Sequence, residues 1–180
     1  MLSASMAFSR RKAAWDLAAL YEYAVAALAR RMRSVAELKR LLRERTAGQS
    51  DGEALVEAVV QRLKDQRYLN DSQYAAAYSA YRRENEKFGR LRVVSDLKSR
   101  GVHGDVIAKT VSEAYAGVNE EKLAREYLAR KRVSKPVTSR EAAKIFRALA
   151  RAGFATPTII AILKKWHVED EVIGLLEGEY

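Results

Sequence analysis

Four cations recur along one stretch of the chain at intervals of four, three and four residues: Arg140, Lys144, Arg147 and Arg151. At about 100° per residue a helix gathers them into a sector of roughly 60°, while Ala142, Ile145, Phe146 and Leu149 point away. No acid shares that sector. A solvated face normally mixes signs so that neighbouring cations do not repel, so the stripe suits a partner that carries negative charge. Arg130, Lys131 and Arg132 lie just upstream in the same basic segment. A second group, Arg82, Arg83, Lys87, Arg90 and Arg92, surrounds Phe88-Gly89. An aromatic among cations can stack on an unpaired base or fill a protein pocket; equally, it can staple the entry to a helix, with Gly89 supplying the turn.

The charge is unevenly spread. Of 180 residues, 33 are Lys or Arg and 23 are Asp or Glu, for a net charge of +10. Between Asn119 and Gly153 stand ten cations and four acids, whereas the last 27 residues carry a net charge of −3. Nucleic acid, an acidic protein or an anionic surface are the partners this balance favours. With no Cys and only His103 and His167, disulfides, Cys-based zinc sites and cysteine nucleophiles are excluded. There is no glycine-rich phosphate loop, no His pair at metal spacing and no Ser with a matching His and Asp, so no catalytic residue, metal site or cofactor is expected. The two histidines read as surface or cap residues, and Tyr21, Tyr23, Tyr74, Tyr78 and Tyr81 as core. Arg10, Arg11 and Lys12 precede an apolar stretch, but Asp16 and Glu22 interrupt it, so neither a signal peptide nor a membrane span is expected and a cytoplasmic location is.

The elements that must hold these cations are helical. Gly and Pro are scarce, and no stretch alternates long enough to be a strand. Stop and start signals mark helices over 15–31, 34–45, 53–66, 72–84, 90–100, 105–116, 120–132 and 138–153, with a last one that Thr156 is expected to cap and Pro157 to open. Ser34 with Glu37 and Thr138 with Glu141 form capping boxes, and Gly101 and Gly153 stop helices. The nine fall into three sets of three. Leu38 and Leu42 recur as Val93 and Leu97 and again as Ile145 and Leu149; Val56 and Val60 recur as Ile107 and Val111 and as Ile159 and Leu163. The expected fold is all-α, a tandem array of three three-helix repeats, elongated or curved. Its parts are an N-terminal tail (1–14), repeats over 15–69 and 70–118, and a third over 119–180 with an acidic end. Each repeat alone is too small to bury much apolar surface, so neighbours are expected to stabilise one another.

The second and third helices of each set suggest a helix-turn-helix. Their third helices open on Asp51-Gly52-Glu53, Gly104-Asp105 and Thr156-Pro157, residues ill suited to a phosphate or a groove, so operator recognition is not expected.

An ordered set of short motifs resembles the RecX regulatory family: Arg33-Ser34 with Glu37-Leu38; Tyr68-Leu69-Asn70-Asp71 with Tyr74-Ala75; Lys87-Phe88-Gly89-Arg90 with Leu97 and Arg100-Gly101-Val102. The resemblance covers about residues 23–111; from 120 onward the internal repeat carries the reading. It implies three-helix repeats and a partner, the RecA recombinase filament on single-stranded DNA, whose ATP hydrolysis and strand exchange the protein would restrain, with effects on DNA repair and the SOS response. The other reading left open is a helical module that binds single-stranded DNA weakly and without sequence preference, with no recombinase partner.

Overall fold

The structure, a computed structural model, describes residues 14–178, so the tail expected over 1–14 lies outside the described residues except for Ala14. Among those residues there are ten helices and no strand. Their order is α1 (Leu17–Arg30), α2 (Val35–Arg45), α3 (Gly52–Asp65), α4 (Asp71–Glu84), α5 (Arg90–Ser99), α6 (Gly104–Ala114), α7 (Glu120–Arg130), α8 (Ser139–Arg151), α9 (Thr156–Lys165) and α10 (Asp170–Gly178). The chain divides into two compact units, one ending at Leu69 and the other beginning at Asn70.

The first unit packs α1 to α3 around Leu20, Leu38, Leu42, Val56, Val60 and Leu63. Ser34 and Glu37 close the expected capping box, each side chain accepting from the other's backbone N–H, at 3.0 and 3.2 Å. This satisfies two of the donors that a helix start leaves orphaned. Across the surface of α2 and α3, Lys39 pairs with Glu57 at 2.6 Å and Arg43 pairs with Glu53.

The second unit holds α4 to α10 on one continuous core. Val93, Leu97, Ile107 and Val111 from the second set of helices join Ile145, Phe146, Leu149, Ile159 and Leu163 from the third. The repeated apolar positions are all buried, so the recurrence marks the inward faces. The seam between the two sets is backbone against backbone: Gly89 N–H donates to the Ala152 carbonyl at 2.8 Å, and Leu91 N–H to that of Gly153 at 3.0 Å. Orphan donors at the start of α5 thus meet orphan acceptors at the end of α8. A Cβ on Gly89 would stand 2.2 Å from the Gly153 oxygen, and one on Gly153 2.1 Å from the Arg92 nitrogen, so both positions require glycine.

Four local expectations need correction. The last helix is two: α9 stops at Trp166-His167-Val168, where His167 takes a φ of 58°, and α10 follows with Ile173 and Leu176 in the core. The N-cap of α9 is Ala155, one residue before Thr156, with Pro157 in the first turn. Thr138 accepts from Glu141 N–H at 3.2 Å, but Glu141 takes its return bond from Val137 N–H at 2.7 Å, so the capping box is displaced by one residue. Tyr81 is 55% exposed and is not core: it shares the helix side of Tyr74 seven residues earlier, but the buried positions of α4 end at Ser79.

Candidate binding face

Helix α8 is the element that positions the stripe. Ala142, Ile145, Phe146 and Leu149 are buried, which fixes the rotation of the helix and turns Arg140, Lys144 and Arg151 to solvent, with Arg147 half-buried. None of these four cations makes an ion pair or hydrogen bond with a described residue. Their charge is therefore not cancelled locally.

The group around Phe88 is placed differently. Arg82 donates to Asp96 at 2.9 Å and to the Tyr78 hydroxyl at 2.9 Å, and its guanidinium lies 4.9 Å from the centre of the Phe88 ring. Arg92 takes the other oxygen of Asp96 at 3.0 Å and lies 5.8 Å from the same ring. Arg83 donates to the Ala114 carbonyl, capping the end of α6, and pairs with Glu84 at 2.7 Å. Lys87 pairs with Glu126 of α7 at 2.9 Å, and Arg130 approaches Glu86 at 3.7 Å. Phe88 is half-buried and packs 6.1 Å from Tyr127, itself 6.1 Å from Phe154. Of this group Arg90 alone is exposed with no such partner among the described residues.

Titration follows the same division. Burial lowers the Arg82 guanidinium but is outweighed by its hydrogen bonds and charge contacts with Asp96 and Tyr78, so its pKa rises. Burial pushes the Tyr78 hydroxyl up, as does its bond to Asp96, against Arg100 and Arg82. Tyr115, which donates to the Phe88 carbonyl at 2.8 Å, is pushed up to about 12, chiefly by burial. The bond from Lys87 holds the Glu126 carboxyl below its usual range.

Next to the stripe, the α7–α8 linker and α8 enclose a groove of about 440 Å³. Lys131, Arg132 and Lys144 reach it, so three of the expected contact residues converge there. Lys131 also lies 6.0 Å from the Tyr127 ring centre. Sequence reasoning missed the partner of this basic rim, an aliphatic lining that includes Val137, 89% exposed. Its signal was the Pro136-Val137 pair, an apolar step in a basic linker. His103 caps α6, accepting from Asp105 N–H, and His167 is exposed. Among the described residues no group of His, Asp or Glu could hold a metal ion, and no helix is long and apolar enough to cross a membrane.

The arrangement can hold an anion. The family model for the second three-helix domain of RecX matches residues 70–111, which are α4 to most of α6 and include the whole turn around Phe88. The regulatory protein RecX of Pseudomonas syringae pv. tomato is 31% identical over 137 residues, 76% of this chain and 84% of that protein. That of Geobacillus thermodenitrificans is 30% identical over 158 residues, 84% of this chain but only 56% of its own greater length. The crystal structure of RecX from Lactobacillus salivarius has the same fold, with a TM-score of 0.65 at 17% identity, covering 84% of this chain and 96% of that one. The tandem three-helix sets, the motifs spread over the first two of them and these likenesses place the chain in the RecX family of regulatory proteins.

Proposed function

We infer that the protein lies along a RecA filament on single-stranded DNA and restrains its ATP hydrolysis and strand exchange, acting as a binding regulator and not as an enzyme. The observation that carries this reading is the stripe on α8, four cations of a family member that make no ion pair with a described residue. Repeated helical sets suit a repeating partner, since successive sets can meet successive protomers. Contact with bare DNA is weak and sequence-independent, because exposed Lys and Arg neutralise phosphates without reading bases.

The test is ATP turnover by a preformed filament with the protein titrated in. Arg140→Glu, Lys144→Glu and Arg147→Glu together leave helicity and Tm nearly unchanged, since the side chains are outside the core. The triple variant weakens association at least tenfold at moderate salt, about 1.4 kcal/mol. Lys164→Glu with Lys165→Glu is the control, because those lysines already pair with Asp170 and Glu121. A triple variant that folds and inhibits like the parent removes α8 from the contact surface. Equal affinity for bare and RecA-coated DNA replaces the regulator by a plain DNA-binding module.

A further inference from the structure

The groove between the α7–α8 linker and α8 combines two chemistries that neither a solvated surface nor a phosphate track needs together. Its aliphatic lining is Val133, Pro136, Val137, Ile145 and Ala148. Lys131, Arg132, Lys135 and Lys144 stand around it, and Arg140, Arg147 and Arg151 continue the positive charge along α8. One acid lines the groove, Glu141, and it is committed to the backbone N–H of Val137 and to capping α8. That bond also anchors the linker where Val137 projects, so its 89% exposure belongs to a pinned backbone. Arg132 takes a φ of 54° at the turn that leads into the linker, a conformation that costs a non-glycine residue and that the packing of Val133 beyond it holds in place.

We propose that this groove binds an acidic peptide segment of a partner protein, with an aliphatic side chain of that segment seated against Val137 and Ile145 and its carboxylates on the surrounding Lys and Arg. Charge complementarity selects the acidic character: four cations line the groove against a single engaged carboxylate. The lining selects peptide over nucleic acid. Single-stranded nucleic acids are held by aromatic platforms on which bases stack, and no aromatic side chain lines this groove. Aliphatic side chains beside cations instead match peptides in which acids and aliphatics alternate. A volume of about 440 Å³ admits one or two such side chains.

The experiment needs no RecA filament, so its result stands apart from the filament reading. The full-length protein is titrated against a labelled peptide of alternating Glu and Leu, against a peptide of equal charge with Ser in place of Leu, and against oligothymidylate, by fluorescence anisotropy. The Glu/Leu peptide binds at least about tenfold more tightly than the Glu/Ser peptide. Val137→Asp, at a position too exposed to disturb the core, abolishes that difference, and Lys144→Glu weakens both peptides. Equal binding of the two peptides, or a difference that survives in Val137→Asp, overturns the proposal. So does oligothymidylate binding that exceeds that of the Glu/Leu peptide and is lost in Val137→Asp, which makes the groove a nucleic-acid site.

Discussion

The basic group at the α4–α5 turn and the basic stripe on α8 look alike in sequence, and the fold uses them in opposite ways. At the turn, Asp96 takes both Arg82 and Arg92, Glu126 takes Lys87, the end of α6 takes Arg83, and Phe88 packs into the seam against Tyr127. On α8 Arg140, Lys144 and Arg151 face solvent, Arg147 is half-buried, and none of the four pairs with a carboxylate among the described residues. The difference shows that local charge measures what a surface could offer, while the carboxylates delivered by other elements decide what it does offer. The turn is a joint between helix sets, whereas the stripe is available to a partner.

The comparison breaks most completely at the seam. Gly89→Ala forces a Cβ to within 2.2 Å of the Gly153 backbone oxygen, with no flexible side chain to yield, so the start of α5 and the end of α8 must separate. The expected loss is more than about 3 kcal/mol in urea unfolding. A loss under about 1 kcal/mol would mean that the joint is loose and that the two basic groups are independent.

A milder test exchanges one cation from each region. Arg82→Met removes a charged pair whose side chains are only 22% and 15% exposed, and lowers stability by about 2 kcal/mol. Arg147→Met changes it by no more than about 0.5 kcal/mol. Comparable losses would show that the stripe, too, is structural.

Alkaline pH separates the regions without charge reversal. The Tyr115 hydroxyl is ordinarily near 10 and is raised to about 12 in the fold, so the folded state favours its neutral form. Its stabilising contribution is complete below pH 10 and disappears as the pH climbs through about 12. Melting followed across that window falls less steeply in Tyr115→Phe, which loses about 1 kcal/mol at neutral pH with its bond to the Phe88 carbonyl. The α8 triple variant should melt along the parental alkaline limb, since no tyrosine joins the stripe; a shifted limb would tie α8 to the seam.

The smallest effect concerns the turn after α9. His167→Gly relieves a φ of 58° and forfeits some chain stiffness, for a net gain below about 1 kcal/mol and no change in binding. A loss of stability would give the imidazole a contact that the turn geometry does not require.

That turn also shows why one helix end escaped the sequence reading. Five helices finish alike, the residue five positions after a buried leucine donating its N–H to that leucine's carbonyl: Tyr68 to Leu63, Val102 to Leu97, Val133 to Leu128, Phe154 to Leu149 and Val168 to Leu163. The residue just before the donor takes a left-handed φ. It is Gly101 or Gly153 in two cases, which the sequence announces, but Arg67, Arg132 or His167 in the others. A leucine followed five residues later by another apolar side chain was the legible signal, and glycine was only its most familiar form. Tyr81 failed for a related reason: spacing put it on a helix, but the neighbours of α4 cover only part of that helix.

By itself the sequence determined the first nine helices, the Ser34 cap, the buried positions that recur from set to set, the outward direction of the α8 cations and the kinship with RecX proteins. All of these depend on residues within a few turns of one another, or on their order along the chain. Tertiary structure alone decided that Arg82, Arg92 and Lys87 are neutralised, that Gly89 meets Gly153, and that Val137 stands uncovered between cations. The physical reason is range. Helical periodicity is set by backbone hydrogen bonds between near neighbours, while ion pairing and close packing depend on which distant elements the core draws together.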